Sequence, residues 1–390
     1  MFIITFLKRG ASSDVFSGSL LLLGTAVSLL AANSVFHDGL HALLSYPLGF
    51  SGPVSFVKPL HFWVNDALMA LFFLLIGLEI KKDVLQGELS SISKAGLPVF
   101  AAFGGMVAPA LIYTFFNFGT PAQSGWGIPV ATDIAFALGI LALLGSRVPR
   151  GLKVFLMALA VADDLGAIVV IALFYTASLN IWALLIGIIP ILGLIGLNRL
   201  GVRKLWMYLV LGIFLWICFC YSGIHPTIAG VIIGIFIPLS GHHSSSPLDR
   251  LHKVLHPLSN MFILPVFVIA NTAIVLNPTM LSHLLSHQSM GIMLGLIIGK
   301  PLGVVGAAWI AVKLGAHLPS RVSWLMMIGT GCLAGIGFTM AVFISMLSYT
   351  DASLTDLAKS SILIASGLSA LIGYSVLALT FRFAKFRHIA

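Results

Sequence analysis

Asp163 and Asp164 sit in the middle of an apolar run, residues 154–174, and Asp133 lies inside a second run, 127–144. A base, Lys300, is centred in a third run, 290–312. The 390-residue chain has only 12 acidic residues, so three of them in lipid-like stretches are costly placements. An ionisable group at a bilayer centre costs roughly 2.5–3.5 kcal/mol on insertion scales, and such groups usually line an ion or proton path. Burial and a like-charged neighbour both favour the neutral form of a carboxyl group. An adjacent pair in an apolar run is therefore pushed toward its neutral form on both counts. On a helix, neighbouring side chains point about 100° apart. One aspartate can face an ion cavity while the other faces a partner helix.

The elements that position these residues are membrane spans. Hydrophobic residues make up 59% of the chain and charged residues 8%, against about 25% charged in a soluble domain. Mean hydropathy is +1.08. Apolar runs recur at 15–35, 62–80, 95–116, 126–145, 154–175, 181–198, 205–221, 226–240, 258–276, 290–312, 323–349 and 360–381. Runs of this kind can cross a hydrocarbon core of roughly 30 Å, and they predict an all-α polytopic membrane protein of about 12 transmembrane helices. Period-2 barrel strands are absent. The +9 net charge is topological and implies no nucleic-acid partner. With both termini cytoplasmic, all 21 Lys and Arg residues lie inside except Lys58, Lys359 and the intramembrane Lys300, as the positive-inside rule requires. Lys8 and Arg9 precede a run too long for a usual signal peptide. Cys218, Cys220 and Cys332 lie within spans and form no metal motif.

Loops are short, and 1–390 reads as a single transporter domain with no cofactor. The longest polar connections are 36–61, the candidate surface for a homodimer, and 241–257, with His242, His243 and three serines. No G-x-x-x-x-G-K-[ST] phosphate loop is present, so ATP-driven pumping by this chain is excluded. Spans four and eleven read as interrupted. Pro129 stands just before Thr132-Asp133, and 329–339 carries four glycines. Irregular backbone at membrane depth is tolerated only where it is buried in protein or lines a cavity. Interrupted spans in corresponding positions of two halves point to a transporter site. Here they are seven apart, as are three and ten, and five and twelve, which predicts inverted repeats at 95–175 and 290–381.

Several stretches closely resemble the NhaA-type sodium/proton antiporters. They are Ala131-Thr132-Asp133-Ile134-Ala135-Phe136, Val161-Ala162-Asp163-Asp164-Leu165-Gly166, Gly299-Lys300-Pro301, Asn65-Asp66-Ala67-Leu68-Met69, Gly77-Leu78-Glu79 and Gly335-Ile336-Gly337-Phe338-Thr339. The likeness runs from the first span to the last. It implies twelve helices, with spans four and eleven interrupted and crossing. It also implies electrogenic, pH-regulated exchange of cytoplasmic Na+ (and Li+) for external H+ in a bacterial inner membrane. Asp163 and Asp164 would be the sodium and proton carriers, with Asp133, Thr132 and Lys300 around them. The inverted-repeat pattern is one for which this family is itself an example.

Sodium, a hard cation, suits carboxylate, carbonyl and hydroxyl oxygens. Asp133, at the helix break, would offset exposed positive helix ends; direct ligation of sodium is the alternative. By family analogy Lys300 pairs with Asp163, either as a static counter-ion or in a pair that breaks when sodium arrives. Glu79, Lys82, Asp83, Arg250, His252, Lys253 and His256 would form a cytoplasmic entrance and pH sensor; a solvated loop cluster is the plainer reading. Here the chain departs from the family, with His252 in place of a glutamate and Asp83 in place of a longer acid. Asp66 reads as a capping or mouth residue and His225 as a surface-loop histidine. Among rivals, a sodium-coupled symporter of organic anions would not need Lys300 beside the acids. An intramembrane aspartyl protease would need a Gly-x-Gly-Asp motif, which is absent.

Overall fold

The computed structural model describes residues 14–50, 56–176, 179–239, 246–275 and 283–387. Lys8, Arg9, His242 and His243 lie outside them. In chain order, α1 (Asp14–Ala32) and α2 (His37–Ser45) precede a small antiparallel hairpin, β1 (Pro47–Phe50) with β2 (Phe56–Pro59). Then come α3 (Leu60–Gln86), α4 (Ile92–Asn117), a 3-10 segment Gln123–Val130 and α5 (Ile134–Ala142). Next are α6 (Arg150–Phe174), α7 (Ile181–Arg199), α8 (Leu205–Ser222) and α9 (Ile228–Phe236). The chain closes with α10 (Pro247–Asn271), α11 (His287–Lys313), α12 (Trp324–Ala334), α13 (Phe338–Ser348) and α14 (Ala352–Arg387).

Among the described residues, ten helices are long and apolar enough to cross a membrane, and α12 with α13 makes a further span bent by 45°. With the short α9, they account for the twelve expected spans. Where sequence and structure part, prolines and a polar helix cap are the causes. The span expected at 226–240 is helical only over Ile228–Phe236, since Pro226 precedes it and Pro238 follows. The helix expected from 258 begins eleven residues earlier, at Pro247. Ser246 starts it, accepting the Asp249 N–H at 3.0 Å and donating to Asp249 Oδ2 at 2.8 Å. A side-chain cap with proline in the first turn is a strong helix start, but hydropathy does not see it. The hairpin, too, was not expected.

Two of the π-helical turns have one physical origin. Ser259–Ile263 and Gly295–Gly299 each end two residues before a proline, Pro265 and Pro301. A helix-interior proline removes one i→i−4 hydrogen bond and crowds the carbonyl four residues back, and a widened turn relieves both. The second such turn ends at Gly299, directly before Lys300.

The chain divides into two compact units. The first comprises residues 1–22, 86–167 and 274–390, and the second 23–85 and 168–273. In the first, α4 and α11 meet backbone to backbone. A Cβ at Gly303 would lie 2.6 Å from the Gly104 carbonyl carbon. Small residues allow such approach between helices in lipid, where packing replaces the hydrophobic drive. In the second, α3 and α9 approach likewise, and a Cβ at Gly234 would stand 2.8 Å from the carbonyl carbon of Gly77.

Candidate ion-exchange site

Within the first unit, both interrupted spans break and their breaks meet. The first passes from the 3-10 segment through extended residues at 131–133 into α5. The second breaks at 335–337, between α12 and α13. Thr132 Oγ1 donates to the Ala334 carbonyl at 2.7 Å, and the Asp133 N–H donates to the Ile336 carbonyl at 2.6 Å. Each broken strand thus satisfies backbone groups of the other, as buried polar groups must be satisfied.

Asp133 caps both half-helices that start here. Its Oδ1 accepts the Phe136 N–H at 3.0 Å, at the N-terminus of α5. Its Oδ2 accepts the Thr339 N–H at 3.0 Å and the Thr339 hydroxyl at 2.5 Å, at the N-terminus of α13. A helix N-terminus carries roughly half a positive charge, so one carboxylate faces two such ends. Both its oxygens are occupied by these bonds. Thr339 was not assigned to the site from sequence. Its place at the start of a half-helix, opposite Asp133, becomes visible only once the two breaks are paired.

Asp163 and Asp164 lie on the uninterrupted α6, and both are buried. Lys300 Nζ contacts Asp163 Oδ2 at 2.6 Å, with both side chains 1% exposed. The same ammonium donates to the Val130 carbonyl, at the end of the 3-10 segment. Asp164 also acts on Lys300 electrostatically. Gly105 on α4 leaves room for the lysine stem, since a Cβ there would meet Val304 at 2.7 Å and Lys300 Cδ at 3.8 Å. Met106 packs its thioether onto Gly166, one turn beyond Asp163. The second oxygen of Asp163 is buried and accepts no hydrogen bond among the described residues. The arrangement is a buried base paired with one of two adjacent acids, with further backbone and side-chain oxygens close by.

The expected entrance residues gather in the second unit. His252 Nε2 meets Glu79 Oε1 at 3.1 Å, and the His252 and His256 rings lie 5.5 Å apart. Lys82 pairs with Asp249 at 3.1 Å. Asp249 went unassigned from sequence, although Ser246-x-x-Asp249 is a capping signature. Asp83 is half-buried beside them in sequence, while Arg250 and Lys253 are exposed on α10. His225 corrects an expectation. It is no surface-loop histidine: its side chain is 14% exposed, with Nδ1 at 2.8 Å from the Thr227 hydroxyl and Nε2 at 3.6 Å from Asp66. Burial pushes its imidazole down to about 4. The turn after Gly223, which adopts a left-handed φ of 87°, folds this residue inward.

Residues 8–377 match the family described as Na+/H+ antiporter 1. The chain belongs to that family. Proteins named Na(+)/H(+) antiporter NhaA are similar to it over nearly its whole length. The one from Aeromonas salmonicida (strain A449) is 47% identical over 375 residues, covering 95% of each chain. That of Shewanella sp. (strain W3-18-1) is 50% identical over 373 residues, 94% of this chain and 96% of the relative. That of Citrobacter koseri is 49% identical over 375 residues, 95% and 97% respectively. Membership of the Na+/H+ antiporter 1 family makes the chain a multi-pass bacterial transporter, not an enzyme, and rules out the protease reading.

Proposed function

We propose that this chain, a secondary Na+/H+ exchanger by family, moves cytoplasmic Na+ and Li+ outward against external H+ through Asp163 and Asp164. The observation that carries this reading is the Lys300–Asp163 pair, buried beside Asp164 where the two broken spans meet. In it, Asp163 and Asp164 bind sodium, or protons in its place. Asp133 and Thr132 hold the crossing, and Asp133 offsets the positive helix ends rather than binding sodium, since its oxygens are already engaged. Lys300 leaves Asp163 when sodium arrives, because the Val130 carbonyl gives the ammonium a second acceptor. The membrane is the bacterial inner membrane, with both termini cytoplasmic. Residues 36–61 pair two copies, through apolar side chains such as Phe36, Leu43, Tyr46 and Val57 that this segment exposes. The inverted repeats at 95–175 and 290–381 place the two breaks in equivalent positions.

The test is a proteoliposome assay of sodium-driven proton movement across a pH series. Because the same oxygens take both ions, the apparent affinity for sodium should rise steadily with pH, and likewise for lithium. A pH-independent affinity would mean separate pathways. If two protons enter per sodium, each cycle moves one net charge, worth about 2.3 kcal/mol per 100 mV. An imposed potassium-valinomycin potential, negative inside, should then drive sodium out of the liposomes faster.

The contact of His252 with Glu79, beside the ring of His256, supports a role for this cluster in pH regulation. The His256 ring lies 5.5 Å from that of His252, and Lys82 and Asp249 form a separate pair within the same unit. His252→Gln keeps a donor for Glu79 and removes the imidazole. The midpoint of the rate-versus-pH curve should move while the maximal rate at alkaline pH stays similar. Superimposable curves at saturating sodium would reduce this cluster to a solvated surface.

A further inference from the structure

α13 begins at Phe338, whose N–H is among the four amides that a helix leaves without an internal acceptor at its N-terminus. It donates to Ser366 Oγ at 3.1 Å. Ser366 is buried, and it lies on a stretch of α14, 360–381, that carries no charge. The next amide, Thr339, goes to Asp133. That carboxylate already serves Phe136, the Thr339 N–H and the Thr339 hydroxyl. Ser366 thus meets a demand at this helix start that Asp133 does not meet.

We propose that Ser366 is a positioning residue of the ion-exchange site, acting through Asp133. With its cap in place, the Phe338 amide makes no claim on Asp133, and the negative charge stays matched to the two helix ends. Without it, an uncapped amide adds positive potential where a sodium ion must come to rest, and it draws on a carboxylate that already accepts three hydrogen bonds. The proposal rests on the reading of Asp163 and Asp164 as the binding pair and of Asp133 as the offsetting charge.

Ser369, three residues along the same helix face, supplies the control. It is as deeply buried and lies against the same break, since a Cβ at Gly335 would be 2.9 Å from its Oγ. Its hydroxyl has no hydrogen-bond partner among the described residues and so caps nothing.

The experiment measures KM for sodium and maximal rate in proteoliposomes at one alkaline pH. Ser366→Ala should raise KM about fivefold, the weight of one lost helix cap, with maximal rate unchanged. Ser366→Gly, which removes the whole side chain, should reproduce the shift, Ser366→Thr should restore the wild-type KM, and Ser369→Ala should leave it unchanged. In an Asp133→Asn background the effect of Ser366→Ala should differ from that in wild type, because the two residues share one helix start. A wild-type KM in Ser366→Ala would overturn the proposal. So would an equal shift in Ser369→Ala, strict additivity with Asp133→Asn, or a fall in abundance and maximal rate alone. Failure of the underlying site reading shows separately, as exchange that survives Asp164→Asn.

Discussion

Asp164→Asn should insert and fold normally and yet exchange no sodium for protons. An amide has nearly the volume of the carboxyl group it replaces and keeps hydrogen-bonding capacity, so packing around α6 is preserved. What it loses is the alternation between a charged and a neutral state, and exchange at a shared site consists of that alternation. Asp164 is buried on an unbroken helix, next to the acid that holds Lys300. No solvent-exposed group can stand in for it there. Sodium-driven proton efflux at matched membrane abundance is the measurement, with empty liposomes as the baseline. Wild-type efflux would remove Asp164 from the pathway, and with it the paired-acid mechanism.

The contribution of the sequence differs from residue to residue. The three intramembrane aspartates and Lys300 stood out because charge in a lipid-like run is expensive, and a one-dimensional pattern records that expense directly. Both breaks were legible for a related reason, since Pro129 and the glycines of 329–339 disfavour a continuous helix. The partners at the breaks were not. Asp133 meets Thr339, and Ser366 meets Phe338, across gaps of 206 and 28 residues. Serine and threonine inside spans are common and cheap, so their types carry no signal until the fold sets them opposite a helix start. The same limit explains His225, whose short Ser222–Pro226 connection reads as a surface loop by composition and is folded inward by a left-handed glycine. The start of α10 was missed because a capped, amphipathic first turn looks like polar loop to a hydropathy window.

Lys300→Met should destabilise the protein strongly, and a second substitution should largely reverse the loss. Lys300 and Asp163 are a fully buried pair at 2.6 Å. Removing one partner of such a pair leaves an uncompensated charge and costs about 3–5 kcal/mol, whereas replacing both by neutral groups of similar volume is often close to neutral. Methionine retains most of the lysine stem that packs beside Gly105, so a cavity is not the source of the effect. Thermal unfolding in detergent at alkaline pH, where carboxylates stay ionised, should show a large drop for Lys300→Met. Most of it should return in Lys300→Met/Asp163→Asn, although that double variant should not transport. The ammonium has a second task, capping the Val130 carbonyl at the end of the 3-10 segment. A double variant as unstable as the single one would mean that the cap, and not the ion pair, is the larger contribution. The pair would then be free to open at little cost to the fold, which is what an ion-displaced lysine requires.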